Sequence, residues 1–251
     1  MTAATTNTTP RIEALNDFVV KFANVNGSGS ASANELFAKS FLRMGIPVSP
    51  RNIFPSNIQG LPTWYEVRVT EKGHLGRRGG VDLMVAMNPQ TWDQDVQEID
   101  PGGYLFYDNT KPLPPSKFRD DINVIGMPLT EISNATYTDA RERQLFKNII
   151  YVGALAALMD IEPGVIAELI GEQYKGKEKL LKPNLNALQL GLNYARQNLK
   201  DALGLKVKRA YNVGDKVFID GNSAAALGCV YGGATVCAWY PITPSSSLAE
   251  A

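Results

Sequence analysis

The residues best suited by type and spacing to chemistry lie near the C-terminus, in the run Tyr240-Pro241-Ile242-Thr243-Pro244-Ser245-Ser246. Prolines bracket Thr243, and each fixes its own φ while pushing the residue before it out of the helical region. The threonine hydroxyl is thereby held in an extended turn as an aimed donor and acceptor. Upstream, the small-residue run Gly221–Gly233 reads as a helix and the apolar run Ala234–Tyr240 as a short strand. The serines after Pro244 read as the opening of another helix. Open α/β sheets place ligands in this geometry, beyond the carboxyl end of a strand and at the free N–H groups of a helix. On pattern alone, an ordinary strand-to-helix connection explains the turn equally well.

A second group of candidates combines glycines with cations. The strand-like run Asp17–Val25 leads into Asn26-Gly27-Ser28-Gly29-Ser30, and Leu36, Phe37, Phe41, Leu42 and Met44 follow at helical spacing. Strand, glycine loop and helix start together make a phosphate cradle. As a dinucleotide fingerprint it is incomplete. Ser32 replaces the third glycine, and no acidic residue occurs between Glu35 and Glu66 to hold a ribose. NAD is therefore disfavoured, and Arg51 suits a phosphate better. Further on, Lys72-Gly73-His74-Leu75-Gly76-Arg77-Arg78-Gly79-Gly80 sets two guanidinium groups among glycines that let backbone approach a ligand. The alternatives are a solvated basic hairpin for the arginines and close strand–helix packing for Gly27 and Gly29. His74, the one histidine, reads as a bystander beside the arginines and not as a general base.

Elements to carry these residues are legible along the chain. Trp64–Glu71, Val81–Asn88, Gly103–Asn109 and Ile122–Leu129 read as further strands, and Pro89–Ile99 as a short helix. Thr138-Asp139 caps a long helix running to about Asp160, whose later part, Asn148–Met159, is apolar nearly all round and so belongs inside. Strands alternating with helices predict an α/β fold around an open sheet. Residues 1–16 read as a flexible tail, 17–205 as the main domain, 206–219 as a linker, and 220–251 as the start of a second domain.

Bulk properties narrow the function. The 251 residues carry 25 Lys+Arg against 25 Asp+Glu, so no long-range field favours nucleic acid or an anionic membrane. The longest apolar run, Ile149–Met159, is far short of the roughly 20 residues a membrane span needs. The Thr/Asn-rich start lacks the features of a signal peptide, and a cytoplasmic protein is expected. Cys229 and Cys237 lack metal-ligand spacing and read as buried small hydrophobes, so no metal site is expected in this chain.

The run Gly221–Gly228 followed by Tyr240–Ser246 resembles the start of the pyrimidine-side thiamine diphosphate domain of the 2-oxoacid:ferredoxin oxidoreductases. The preceding residues, from about Phe18, resemble the three-layer γ-type domain fused ahead of it in α subunits of the 2-oxoglutarate enzymes, with Arg78-Gly79-Gly80 at a matching place. The resemblance implies an oxidative decarboxylation of a 2-oxoacid, 2-oxoglutarate favoured over pyruvate, to an acyl-CoA. Electrons would pass to ferredoxin. It places Thr243 by the thiazolium and the substrate carboxylate, with Tyr240, Pro241, Ile242 and Ser245 around the cofactor. Gly27, Gly29, Arg78, Gly79 and Gly80 would hold coenzyme A. The loop departs from the usual G-x-G-G-Q-G. Ser245 and Ser246 serve equally as plain helix caps. A β subunit would bring the diphosphate half with its Mg2+, partner chains the [4Fe–4S] clusters, and the whole an αβ hetero-oligomer. The family's activating glutamate would lie past Ala251, so the chain is expected to be an N-terminal portion, inactive alone. The competing expectation is a non-catalytic module that binds coenzyme A or assists assembly.

Overall fold

The computed structural model describes residues 10–55, 58–242 and 245–251. A short strand β1 (Ala14–Leu15) comes first, then β2 (Asp17–Val25), which is buried over most of its length. Alternate side chains of β2 serve opposite faces of the sheet. A loop through Gly29, which holds the left-handed φ of +77°, turns the chain into α1 (Ser30–Arg43). Strands β3 (Val48–Ile53) and β4 (Pro62–Thr70) form an antiparallel pair, and β4 continues antiparallel to β2. The chain then crosses to β5 (Val81–Ala86), α2 (Trp92–Gln97), β6 (Ile99–Asp108) and β7 (Asn123–Met127). Strands β2, β5, β6 and β7 are parallel, and the sheet order is β3-β4-β2-β5-β6-β7.

Three layers result. Phe22 packs on Phe37 of α1 and on Tyr151 of α4 (Ala140–Met159), which follows α3 (Leu129–Thr136). The other face carries Ala23, Met84 and Leu105 against Trp92 and Val96 of α2. The Asp139 carboxylate accepts from the N–H groups of Arg141 and Glu142, both at 2.9 Å, and so starts α4 where the sequence predicts. The chain continues through α5 (Pro163–Gln173) and α6 (Glu178–Asn198). Helix α6 lies against α4, brought close by paired glycines. A Cβ on Gly153 would fall 2.2 Å from the Leu188 carbonyl oxygen, and one on Gly191 2.0 Å from that of Ile150.

The predicted tail needs correction. Residues from Pro10 onward are held: β1 pairs in parallel with β8 (Leu205–Lys206), and Arg11 donates to the Asp201 carbonyl at 2.8 Å. Backbone hydrogen bonds overrode the polar composition. The first half of the predicted linker is also tied down, since Ala210 N–H reaches the Met44 carbonyl at 2.9 Å and Asn212 N–H that of Gly45 at 3.0 Å.

Two compact units divide after Gly214. The second holds α7 (Gly221–Tyr231), capped by Asp220, and α8 (Ser245–Glu250). The expected strand at Ala234–Tyr240 does not form. A strand exists by virtue of a ladder partner, and no described residue pairs with this run. Cys229 and Cys237 are both exposed, against the expectation of burial, and among the described residues α7, which carries Cys229, has none buried.

Replacing Gly191 with alanine should force α4 and α6 apart. The expected loss is about 3 kcal/mol of stability, read as a lower midpoint in chemical denaturation. A wild-type midpoint would mean that the glycine contact constrains nothing.

Candidate functional site

Because β2, β5, β6 and β7 run parallel, their carboxyl ends share one edge of the sheet, the edge where open α/β folds place ligands. Two adjoining hollows of about 430 and 450 Å³ lie there, and Met87, Thr130 and Lys147 line both. The first hollow is polar, with Asn24, Ser28, Arg143 and Asn148 in its wall. The second has an apolar wall, with Trp92, Tyr107 and Leu113 beside Lys111 and Lys117.

Amides hold the polar half together. Asn148 Nδ2 donates to the Ser28 carbonyl at 2.9 Å, and Asn88 Nδ2 to that of Asn24 at 3.3 Å. The Tyr151 hydroxyl donates to Asn34 Oδ1 at 2.7 Å. Burial pushes that hydroxyl far above its ordinary range, opposed in part by the Asn24 amide beside it. Asn24 Nδ2 is buried with no contact of good hydrogen-bond geometry.

Asp108, the last residue of β6, joins the two halves. Its carboxylate accepts from the Thr110 hydroxyl at 2.6 Å, the Thr130 N–H at 3.1 Å and the Thr130 hydroxyl, with Lys147 Nζ 3.7 Å away. Burial pushes the Asp108 carboxyl up, but the hydrogen bonds from Thr110 and Thr130 with the Lys147 charge outweigh it, leaving the group below its ordinary range. The carboxylate supplies the side-chain cap that Pro128, at the N-cap of α3, cannot. In the other half, Trp92, Tyr107 and Phe118 meet edge to face with centroids 5.5–5.9 Å apart. The Trp92 ring is fixed by its Nε1–H donating to the Lys117 carbonyl at 2.8 Å.

The glycine loop reaches this site only through Ser28. Gly27 and Gly29 both adopt left-handed φ, but the Gln59 side chain lies over Gly27 and Leu145 of α4 over Gly29, where a Cβ would meet Leu145 Cδ2 at 2.3 Å. Gly27 itself is exposed and Gly29 partly so, and neighbouring side chains leave no room for a Cβ at either.

Arg78, Gly79 and Gly80 lie at the other end of the sheet. Leu83 pairs with Val20, which sets Gly80 level with Asp17, at the start of β2. At about 3.3 Å per residue the two ends of this nine-residue strand are about 26 Å apart. The structure therefore does not bring Arg78 and the glycine loop into one pocket. Arg78 pairs with Asp82, whose carboxylate also accepts from Val19 N–H at 2.7 Å, and stands 3.8 Å from Asp100. Gly80 is at φ +77°, where a Cβ would meet the Asp100 carboxylate at 2.1 Å. Arg77 forks onto Glu66 at 3.0 and 3.1 Å. Arg51 sits in β3, opposite Glu66 in the ladder, not in a ligand loop. Arg77 and Arg78 are thus each paired with a carboxylate of the fold while staying partly exposed.

In the second unit, Tyr240 is 77% and Ile242 52% exposed, so both present apolar surface outward. Ser245 is the first residue of α8 and its hydroxyl donates back to the carbonyls of Ile242 at 2.6 Å and Tyr240 at 3.0 Å, closing the turn after Pro241. Thr243 lies outside the described residues. Among the described residues no cluster of His, Cys, Asp or Glu could hold a metal.

Sequence reasoning missed the cleft itself. Asp108, Thr130 and Lys147 come from three elements and share no local motif. The usable signal was positional: Asn24 and Asp108 each end or nearly end a parallel strand.

Comparison with known proteins follows the same outline. A family described as pyruvate ferredoxin/flavodoxin oxidoreductase matches residues 19–194. An α subunit of a 2-oxoacid:ferredoxin oxidoreductase from Aeropyrum pernix is 23% identical over 89% of this chain and 40% of its own. The structure of 2-oxoglutarate:ferredoxin oxidoreductase from Magnetococcus marinus, with 2-oxoglutarate, coenzyme A and succinyl-CoA bound, superposes with a TM-score of 0.81 at 25% identity, covering 94% of this chain and 40% of that one. The γ subunit of a keto/oxoacid ferredoxin oxidoreductase from Geobacter sulfurreducens shares the fold, with a TM-score of 0.56 at 19% identity over 72% of this chain and 99% of that one. The chain thus spans about 40% of the length of the longer relatives it matches.

Asp108→Asn should destabilise the protein at pH 7 by about 1–3 kcal/mol. The native carboxyl titrates below its ordinary value, so its contribution is present at neutral pH and is lost as pH falls below about 4. Denaturation at several pH values should therefore show the gap between variant and wild type closing in acid. Arg78→Ala should lower the denaturation midpoint by an amount equivalent to about 1–2 kcal/mol, because it strips the charge partner from buried Asp82.

Proposed function

The chain belongs to the pyruvate ferredoxin/flavodoxin oxidoreductase family, and from that premise we propose that it is the leading part of the α subunit of a 2-oxoacid:ferredoxin oxidoreductase. The observation that carries the reading is that the likeness to the Magnetococcus marinus enzyme runs through nearly the whole chain, beyond the residues the family model covers. The reaction is the oxidative decarboxylation of a 2-oxoacid, with coenzyme A as cosubstrate and ferredoxin as acceptor. That enzyme's bound ligands favour 2-oxoglutarate over pyruvate. A β subunit in an αβ hetero-oligomer would bring the diphosphate-binding half with Mg2+, and partner chains the [4Fe–4S] clusters. Two exposed free thiols accord with the reducing cytoplasm as its place of work.

Thiamine diphosphate, when bound, supplies the electron sink for the carbanion left as carbon dioxide departs. This chain's residues fit such a group on one observation: exposed Tyr240 and Ile242 flank a turn closed by the Ser245 hydroxyl. Ile242 would pack against the ring and shield it from water, while Tyr240 and Pro241 shape the approach. Ser245 is engaged with turn carbonyls, and Thr243 would offer its hydroxyl to the substrate carboxylate.

The test uses the full-length α subunit assembled with its β subunit. Thr243→Val should lower 2-oxoacid-dependent ferredoxin reduction about 100-fold, with thiamine diphosphate still bound by isothermal titration. Turnover at the wild-type rate would remove Thr243 from the site.

A further inference from the structure

The turn between α5 and α6 carries a cluster of lysines whose charge the fold does not use. We infer that this turn, with the first turns of α6, is a docking surface for an acidic protein, the electron-accepting ferredoxin of the assembled complex. The choice of partner rests on the reaction proposed above, and the docking is tested by a measurement that needs no turnover.

Charge argues first. Lys175, Lys177, Lys179 and Lys182 are all exposed, and Glu178 is the one acid among them. None of the four lysines makes an ion pair among the described residues. The acid that precedes the cluster in the chain, Glu172, is engaged by Arg43 at 2.6 Å. The surface is thus left strongly positive in a chain whose formal net charge is zero.

Placement argues second, because these charges work against the helix that carries them. The start of a helix favours acidic side chains and disfavours cations. Yet α6 has Lys177 at its N-cap, where there is no side-chain cap hydrogen bond, since an ammonium group has no acceptor to offer an N–H. Lys179 and Lys182 follow three residues apart, on one face, where like charges repel. Residues that oppose local preference with no compensating partner inside the fold mark a surface kept for something outside it.

The chemistry of the cluster selects the partner. Residues 175–182 hold no arginine to fork onto phosphates and no aromatic ring to stack a base, which disfavours nucleic acid. Leu180, 45% exposed, adds an apolar contact, but a single leucine is too little to seat a helix in lipid. Mobile point charges with little apolar area suit a small, rapidly exchanging protein encounter of the kind an electron carrier makes.

The test uses the full-length α subunit assembled with its β subunit, as wild type and as the triple variant Lys177→Gln, Lys179→Gln, Lys182→Gln. Binding of a ferredoxin of net negative charge to the immobilised complex is measured by biolayer interferometry. The variant should bind about tenfold more weakly, and the difference should vanish at about 1 M salt, where the Debye length is about 3 Å. Its denaturation midpoint should not fall, because the lysines oppose the helix. In turnover, KM for ferredoxin should rise about tenfold, with 2-oxoacid-dependent reduction of methyl viologen, a small cationic acceptor, unchanged. Wild-type ferredoxin affinity in the variant would overturn the inference, as would an affinity loss that persists in high salt. Unchanged ferredoxin binding with lost retention on phosphatidylserine vesicles would overturn it in favour of a lipid surface. Failure of the wild-type complex to reduce methyl viologen with any 2-oxoacid would sink the proposed reaction instead, and the binding measurement would still decide the docking.

Discussion

The pairing of β2 along both of its edges governs the arrangement of this molecule. Nine consecutive residues bond β4 on one side, and Val20 to Ala23 bond β5 on the other. A strand held this way needs apolar side chains on both faces, and Phe18, Val20 and Phe22 alternate with Val19 and Ala23 to supply them. The direction of β2 then decides what lies at each end. Its start meets the Arg78–Asp82 pair, and its finish meets the glycine loop and the cleft. Glycine loop and Arg78, which look like parts of one binding site on paper, are separated by the length of the strand that connects their positions.

The charged residue buried in the middle of β2 shows how strong that constraint is. Lys21 points from the middle of the strand into the face that packs on α2, and is nearly buried. It is accommodated by an ion pair with Glu98 and by the Trp64 ring, 5.7 Å from its Nζ. Asp95 beside them accepts from Trp64 Nε1 at 2.8 Å and Thr91 at 2.6 Å, and burial pushes its carboxyl above the ordinary range. An apolar residue would serve the packing more simply. The whole arrangement lies on the face that packs on α2, away from α1 and α4.

Much of this framework was legible in the sequence because it rests on local signals. The bounds of β2 follow from an apolar run ended by Asn-Gly, and the start of α4 from Asp139, whose carboxylate caps it. Strand β3 was hidden by Pro50 and Arg51, residues tolerated there because β3 is the outer strand and its free edge faces solvent. The predicted strand at Ala234–Tyr240 shows the opposite failure: apolar pattern without a partner gives no ladder. The cleft was illegible for a third reason. Its residues are set by register among β2, β5 and β6 and by the turn of α4 above them, none of which one segment encodes.

That register also explains why the cleft walls are rich in amides. Where parallel strands end, their last carbonyls lose ladder partners and must be satisfied by side chains. Asn88 serves the Asn24 carbonyl near the end of β2, and Asn148 that of Ser28 in the loop that follows. Asparagine does this without adding charge. Had lysines done the same work, their ammonium groups would be tied to the backbone; had aspartates been placed there, they would repel the carbonyls and cancel the cations. Arg143 and Lys147, carried on α4, are the cations in the wall of the polar hollow, and Arg143 Nε also donates to the Tyr137 carbonyl at 2.7 Å. The carboxylate that does occur, Asp108, holds the start of α3 and so fixes Thr130 in the wall that both hollows share. Asn88 and Asn148 thus satisfy backbone carbonyls beside the cleft without adding charge.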